Sequence, residues 1–320
     1  MLGAMERIRL GISSCLLGER VRYDGQHKLN HFLRDTLGQY VEYVPVCPEV
    51  ECGLPIPREA MRLVGDAAEP RLVTIKTGRD LTDQMHTWAR RRLAELERED
   101  LCGYVFKSKS PSSGMERVKV YDKNNVPHKV GSGLFAAAFM AHFPALPVEE
   151  DGRLNDARLR ENFIERIFVM QRWRQMLEGE GRRLGALVRF HTRHKLLMLA
   201  HSPRHYQEMG RLVARGKELA PDELFSRYQG LLMEGLRLIA TNAKNANVLH
   251  HLMGYFKKQI SADEKQELRE LIDSYRRGFI PLIVPVTLIA HHLRRHRQPY
   301  LMDQVYLNPH PLELQLRNHA

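Results

Sequence analysis

Apolar positions change their period part-way along the chain. In the first part they come in short runs. Ile8 to Ser13 is apolar and ends in small residues, as a buried parallel strand does, and Tyr40 to Val46 is a second run, β-branched and aromatic. Leu72–Ile75, Leu101–Phe106 and Glu116–Tyr121 read as further strands. Between them, Thr82 to Glu97 sets Met85, Trp88, Ala89, Leu93 and Leu96 at helical spacing, with Asp80 or Thr82 as N-cap, and Gly131 to His142 is a short apolar helix. Strands interleaved with helices predict an α/β domain with a mostly parallel sheet.

The pattern then turns helical. Prolines and the acidic run Glu149, Glu150, Asp151 mark a linker between Pro144 and Gly152, which places one domain at 1–147 and a second at 148–320. Helices are predicted over Asp156–Leu177, Leu184–His201, Arg204–Ala214, Asp222–Ile239, Asn245–Lys258 and Asp263–Tyr275. Ser202-Pro203, Ala220-Pro221-Asp222 and Ser261-Ala262-Asp263 are helix starts. The second domain is thus expected to be an all-α bundle. Phe279 to Ala290 is apolar but broken by Pro281 and Pro285, so it reads as a buried helix or interdomain segment rather than a membrane span.

Charge sharpens the division. The chain of 320 residues is 43% hydrophobic and 27% charged, the balance of a globular protein rather than a disordered one. Residues 1–150 hold 21 lysines and arginines against 20 carboxylates, while residues 151–320 hold 28 against 18. That asymmetry points to chemistry in the first part and a polyanion grip in the second, with a merely solvated basic face as the alternative. Glu6, Arg7 and Arg9 interrupt any export signal, so a reducing, cytoplasmic setting is expected; Met1–Ala4 before Met5 reads as a remnant ahead of a native start.

All four cysteines, Cys15, Cys47, Cys52 and Cys102, fall in the first third of the chain. Cys15 closes the first predicted strand within Ser13-Ser14-Cys15-Leu16-Leu17-Gly18, followed by Arg22-Tyr23-Asp24-Gly25. Cys47 closes the second within Val46-Cys47-Pro48-Glu49-Val50, followed by Gly53-Leu54-Pro55-Ile56-Pro57-Arg58. Lys107-Ser108-Lys109-Ser110-Pro111-Ser112-Ser113-Gly114 closes another. Ligands in open α/β sheets bind beyond the carboxyl ends of strands, so three such motifs converge on one edge. Each alone has a plainer reading: a small buried cysteine, a solvated carboxylate, a hydrophilic turn.

Taken in order, SSCLLG with RYDG, VCPEV with GLPIPR, and KSKSPSSG with ERVKVYD resemble the thiouracil desulfidases over about residues 6–145. The resemblance implies a 4Fe-4S cluster with three protein ligands and one open iron. It implies Cys15 and Cys47 as two of those ligands and a cysteine where this chain has Ser113. A serine hydroxyl is a poor substitute for the soft thiolate that iron–sulfur clusters prefer. Three readings of Ser113 stand: an engineered replacement, which is favoured; a natural serine with Cys52 or Cys102 supplying the thiolate; or loss of the cluster.

The second domain, through Leu159–Arg172 and Phe190–Pro203, resembles an uncharacterised helical domain often fused behind desulfidase domains. The fusion resembles desulfidases acting on 4-thiouridine in tRNA. The expected function is cluster-assisted, non-redox C–S hydrolysis in tRNA, impaired here by Ser113. The alternatives are an enzyme of free thiouracil or small thiolated pyrimidines, and an inactive RNA-binding protein. Glu49 and Ser108 are the expected catalytic residues, Glu49 for proton transfer or activating water and Ser108, nearest the strand end, for orienting the pyrimidine. Ser110 and Ser112 are expected to orient the pyrimidine, and Ser14, Tyr23 and Asp24 to complete the substrate contacts. Arg193, Lys195, Lys244, Lys257 and Lys258 are the expected tRNA contacts. His191 and His194 at i, i+3 lack a visible third ligand for a metal.

Overall fold

The computed structural model describes residues 7–319, so the readings of Met1–Ala4 and Glu6 lie outside the described residues. The chain divides into two compact units, residues 1–156 and 157–320. The first holds 22 basic against 22 acidic residues and the second 27 against 16, so the whole positive excess belongs to the second.

In the first unit, β1 (Ile8–Ser13), β2 (Val41–Val46), β5 (Gly103–Phe106) and β8 (Val148–Glu150) form a parallel sheet in the order β2-β1-β5-β8. Gly11 lies opposite Tyr104, and a Cβ there would meet the Tyr104 ring at 2.2 Å, so this register requires glycine. Tyr104, Phe106, Phe135 and Phe139 form a fully buried aromatic cluster against which α3 (Leu134–His142) packs. A second sheet, in the order β4-β3-β6-β7, consists of β3 (Met61–Val64), β4 (Arg71–Thr74), β6 (Val118–Tyr121) and β7 (Pro127–Gly131). Helix α2 (Thr82–Leu96) buries Met85, Trp88, Ala89, Leu93 and Leu96, the residues whose spacing predicts it.

Three differences from the sequence reading have physical causes. The N-cap of α2 is Leu81, because Asp80 accepts from the Thr82 amide at 2.8 Å and the Thr82 hydroxyl is taken by the Leu72 amide at 2.9 Å. Strands β3, β7 and β8 are three to five residues long and carry charges or proline, so they show no alternation to read. The units divide after Asp156 rather than near residue 147, because Val148–Glu150 hydrogen-bonds to β5 as an edge strand of the first sheet.

The second unit is helical: α4 (Ala157–Glu180), α5 (Leu184–His201), α6 (Pro203–Ala214), α7 (Pro221–Arg237), α8 (Asn242–Gly254), α9 (Ala262–Arg276), α10 (Ile283–His296) and α11 (Pro299–Met302). Ser202 caps α6, and Ser261 with Glu264 forms a capping box on α9. Trp173 of α4 stacks on Tyr228 of α7 in the core. Within Phe279–Ala290, Phe279 is 73% exposed and the helix begins only at Ile283. Glu161 and Glu165 of α4 are held by Arg317 at 3.3 and 3.0 Å, and Glu165 also by His201 at 3.1 Å. No described helix is long and apolar enough to cross a membrane.

Candidate active site

The carboxyl ends of β1, β2 and β5 open onto one cavity of about 470 Å³. Cys15, Cys47 and Ser113 all line it, with Ser14, Tyr23, Glu49, Ser108 and Ser110. Each is set there by local chemistry. Cys15 lies in a tight turn (14–17) that ends on Gly18 at φ 101°, a left-handed conformation that favours glycine. Cys47 sits just before α1 (Pro48–Glu51), where Pro48 takes the first helical position and the Glu51 carboxylate accepts the Cys47 amide at 2.8 Å. The Ser13 hydroxyl accepts the Lys107 amide at 2.9 Å and ties the end of β1 to that of β5.

The loop after β5 folds around Ser110. Its hydroxyl accepts the amides of Ser112 and Ser113 at 3.3 and 3.2 Å, and its carbonyl accepts that of Gly114 at 2.8 Å. The Ser112 carbonyl in turn accepts the Phe135 amide at 2.9 Å, at the start of α3. A Cβ on Gly133 would lie 2.4 Å from the Ser112 carbonyl carbon, so loop and helix start are in backbone contact. This seating fixes Ser113, 3% exposed, with its hydroxyl 3.3 Å from that of Ser112.

Glu49 is the hub of the cavity. One carboxylate oxygen accepts the Ser112 hydroxyl at 2.5 Å, and the other accepts Arg58 at 3.2 Å and faces the Cys47 thiol at 3.6 Å. Arg58 also donates to the Val21 carbonyl at 2.9 Å, pinning the loop that carries Arg22 and Tyr23. Burial, reinforced by the nearby Glu49 charge, pushes the Cys15 thiol up to about 11 and the Cys47 thiol up to about 12. Both therefore stand as neutral thiols until something that binds thiolate displaces their protons. Lys107 is held by Asp151 at 2.9 Å, and the Ser108 hydroxyl accepts from the Lys107 ammonium at 3.0 Å.

Some expected residues are placed elsewhere. Asp24 does not line the cavity: it closes its own turn, accepting the Gln26 amide at 3.1 Å and Arg22 at 3.3 Å. Ser112 is fully buried behind Glu49 rather than facing the cavity. Cys52, whose thiol turns to the Glu49 carbonyl at 3.3 Å, and Cys102, fully buried, are both outside the lining. Arg58 and Asp151 are the parts the sequence reading lacks. Arg58 lies within a motif it quotes, but nothing in one sequence pairs it with Glu49.

Comparison with known proteins bears directly on this cavity. Residues 10–151 match the family model described as 2-thiouracil desulfurase, and residues 195–311 match a protein family of unknown function, DUF1722. YbbK of Bacillus subtilis, itself uncharacterized, is 30% identical over 132 residues, covering 39% of this chain and 85% of its own. The chain belongs to the 2-thiouracil desulfurase family. The uncharacterized protein YbgA of Escherichia coli is 34% identical over 166 residues, 52% of this chain and 98% of its own. A solved [4Fe-4S]-dependent thiouracil desulfidase, TudS, is 31% identical, covering 48% of this chain and 95% of that one, with a TM-score of 0.38.

The donor set can be weighed against an iron–sulfur cluster. Two of three positions offer soft thiols on one cavity, and the third offers a hydroxyl. The residues fit a cluster through Cys15 and Cys47, with Ser113 as a weak third donor.

The cations of the second unit differ in availability. Arg193, Lys257 and Lys258 are exposed. Lys195 lies with its ammonium 5.0 Å from the Tyr300 ring centre. The Lys244 ammonium donates to the His201 carbonyl at 2.7 Å, closing the end of α5. The basic run His191-Arg193-His194-Lys195 is not one surface. His194 is buried and stacked on Phe190, and His191 meets the Tyr228 hydroxyl at 3.2 Å. Burial pulls their pKa values down to about 3 and about 4, so both are neutral, His194 in the core and His191 half-buried at its edge.

Proposed function

We propose that the chain is an iron–sulfur desulfidase that converts 4-thiouridine in tRNA to uridine, with water replacing sulfur and hydrosulfide leaving. The observation that carries the catalytic part is the single cavity shared by Cys15, Cys47, position 113 and Glu49. Cys15 and Cys47 would hold the cluster with the residue at 113. When bound, the cluster supplies a Lewis-acidic iron with affinity for the thiocarbonyl sulfur. Glu49, fixed at both oxygens by Ser112 and Arg58, is poised to take a proton from the attacking water. The Ser108 and Ser14 hydroxyls and the Tyr23 ring line the space for the pyrimidine.

The tRNA part of the reading is supported by the charge excess confined to the second unit. A second reading, free thiouracil or a small thiolated pyrimidine as substrate, is favoured by a different fact: every residue lining the cavity lies between Ser13 and Ser113, within the first unit. The test is anaerobic reconstitution of the Ser113→Cys protein and turnover of thiolated tRNA, 4-thiouridine and 2-thiouracil side by side. The tRNA reading expects the highest kcat/KM on tRNA. Equal or higher kcat/KM on the small substrates would replace it with the second reading. A fully loaded cluster with no turnover of any substrate would end the enzyme reading.

A further inference from the structure

The second unit carries an aromatic feature that its charge does not account for. Tyr255, just beyond the end of α8, is 38% exposed and stacks on Tyr300 of α11, with ring centres 5.3 Å apart and planes 26° apart. Lys195 of α5 lies over Tyr300 at 5.0 Å, and His251 meets Tyr255 edge-on at 5.6 Å. Lys257 and Lys258 follow Tyr255 in an exposed turn, which Gln259 joins to Gln298, beside Tyr300, at 3.0 Å. Arg294 and Arg297 precede the same segment, both exposed. Among the described residues, no ion pair engages Lys195, Lys257, Lys258, Arg294 or Arg297, while Arg295 is spent on Glu264 at 3.2 Å.

We propose that this tyrosine pair is a stacking platform for an unpaired nucleobase of RNA, with the surrounding lysines and arginines on the flanking phosphates. The proposal rests on the RNA part of the function above and adds where and how the RNA is held. Three elements, from α5, α8 and α11, converge to back the exposed Tyr255 ring with the half-buried Tyr300, which leaves the outer face of Tyr255 to be covered. Every base has a π-face, so an aromatic platform binds without reading sequence, and the adjacent cations release counterions from the backbone. A fully paired duplex hides its base faces and would engage only the cations. An acidic peptide would likewise engage the cations and leave the rings bare.

The experiment measures binding of an oligouridine 12-mer, a duplex RNA and tRNA to the full chain and to Tyr255→Leu, Tyr255→Phe and Lys257→Ala/Lys258→Ala, across a salt series. Thermal melts of each variant confirm folding. Tyr255→Leu is expected to weaken the 12-mer about ten- to hundred-fold with the salt slope unchanged, and Tyr255→Phe to keep most affinity. The lysine pair is expected to flatten the log–log slope by about 1.4. If Tyr255→Leu binds the 12-mer like wild type while the lysine pair does not, RNA is held through phosphates alone and the platform is refuted, with the RNA reading intact. Failure of the wild-type chain to bind any RNA, or equal displacement of the 12-mer by polyglutamate at matched charge, overturns both.

Discussion

The Ser112 hydroxyl donates to Glu49 at 2.5 Å across 63 positions of sequence, joining the loop after β5 to the helix after β2. Ser112 thereby acts through Glu49, from behind it. In a Ser113→Cys background, Glu49→Gln should lower turnover by about 10²- to 10⁴-fold, the usual range for losing a general base. Ser112→Ala should lower it less, since one hydrogen bond that orients the carboxylate is lost. Iron and sulfide content should be unchanged in both. Normal turnover in Glu49→Gln would move proton transfer to another group.

On the proposed function, the residue at 113 sets how well the cluster loads. Ser113→Cys should raise iron and acid-labile sulfide per chain after anaerobic reconstitution, with stronger visible charge-transfer absorption, because thiolate replaces a hard oxygen. Equal content in both proteins would mean that Ser113 or another group already completes the ligand set. Cys52→Ala, placed outside the cavity, should change neither.

Gly133 sets how closely α3 approaches the loop that carries Ser112 and Ser113. Gly133→Ala puts a methyl 2.4 Å from backbone, which no side-chain rotation can relieve. A loss of about 1–3 kcal/mol in urea unfolding is expected, of the size seen for overpacking. Cluster loading of Gly133→Ala/Ser113→Cys should fall below that of Ser113→Cys alone.

What the sequence discloses follows the strength of its periodic signals. Strands β1, β2 and β5 are apolar runs and their ends are motif-bearing, so the cavity could be anticipated from strand ends alone. Strands β3 and β7 carry no such pattern, so only β4 and β6 of the second sheet were legible, and β8, an edge of the first sheet, was read as linker. Glu49 was visible, but Arg58 was not, because its pairing depends on a turn spanning nine positions. In the second unit, His191 and His194 were read by residue type, as a pair at i, i+3 lacking a third metal ligand. The interval Leu187, Phe190, His194, Leu197 is an apolar helix face, and that spacing, rather than residue type, places His194 in the core.

Those two histidines give the second unit a pH dependence of known sign. Their folded pKa values lie below the ordinary 6.5, at about 4 for His191 and about 3 for His194. Between those values and 6.5 the unfolded chain binds protons that the folded one refuses, so their contribution to stability is full above 6.5 and is lost as pH drops towards 4. The slope reaches up to about 1.4 kcal/mol per pH unit for each histidine. Urea midpoints at pH 7, 6 and 5 should decline in the wild type and decline less steeply in His194→Gln. Equal declines in the wild type and His194→Gln would show that His194 is not held neutral.

Arg317 meets Glu165 in the interior although 152 positions separate them, and it reaches Glu161 from the same place. An emerging polypeptide therefore presents α4 with two carboxylates destined for burial long before the guanidinium that compensates them has been synthesised. Until then, closing the core over Glu165 leaves its carboxylate only partly compensated, by His201. A chain cut short before residue 317 is therefore expected to leave Glu165 with His201 as its remaining partner and the second unit less stable.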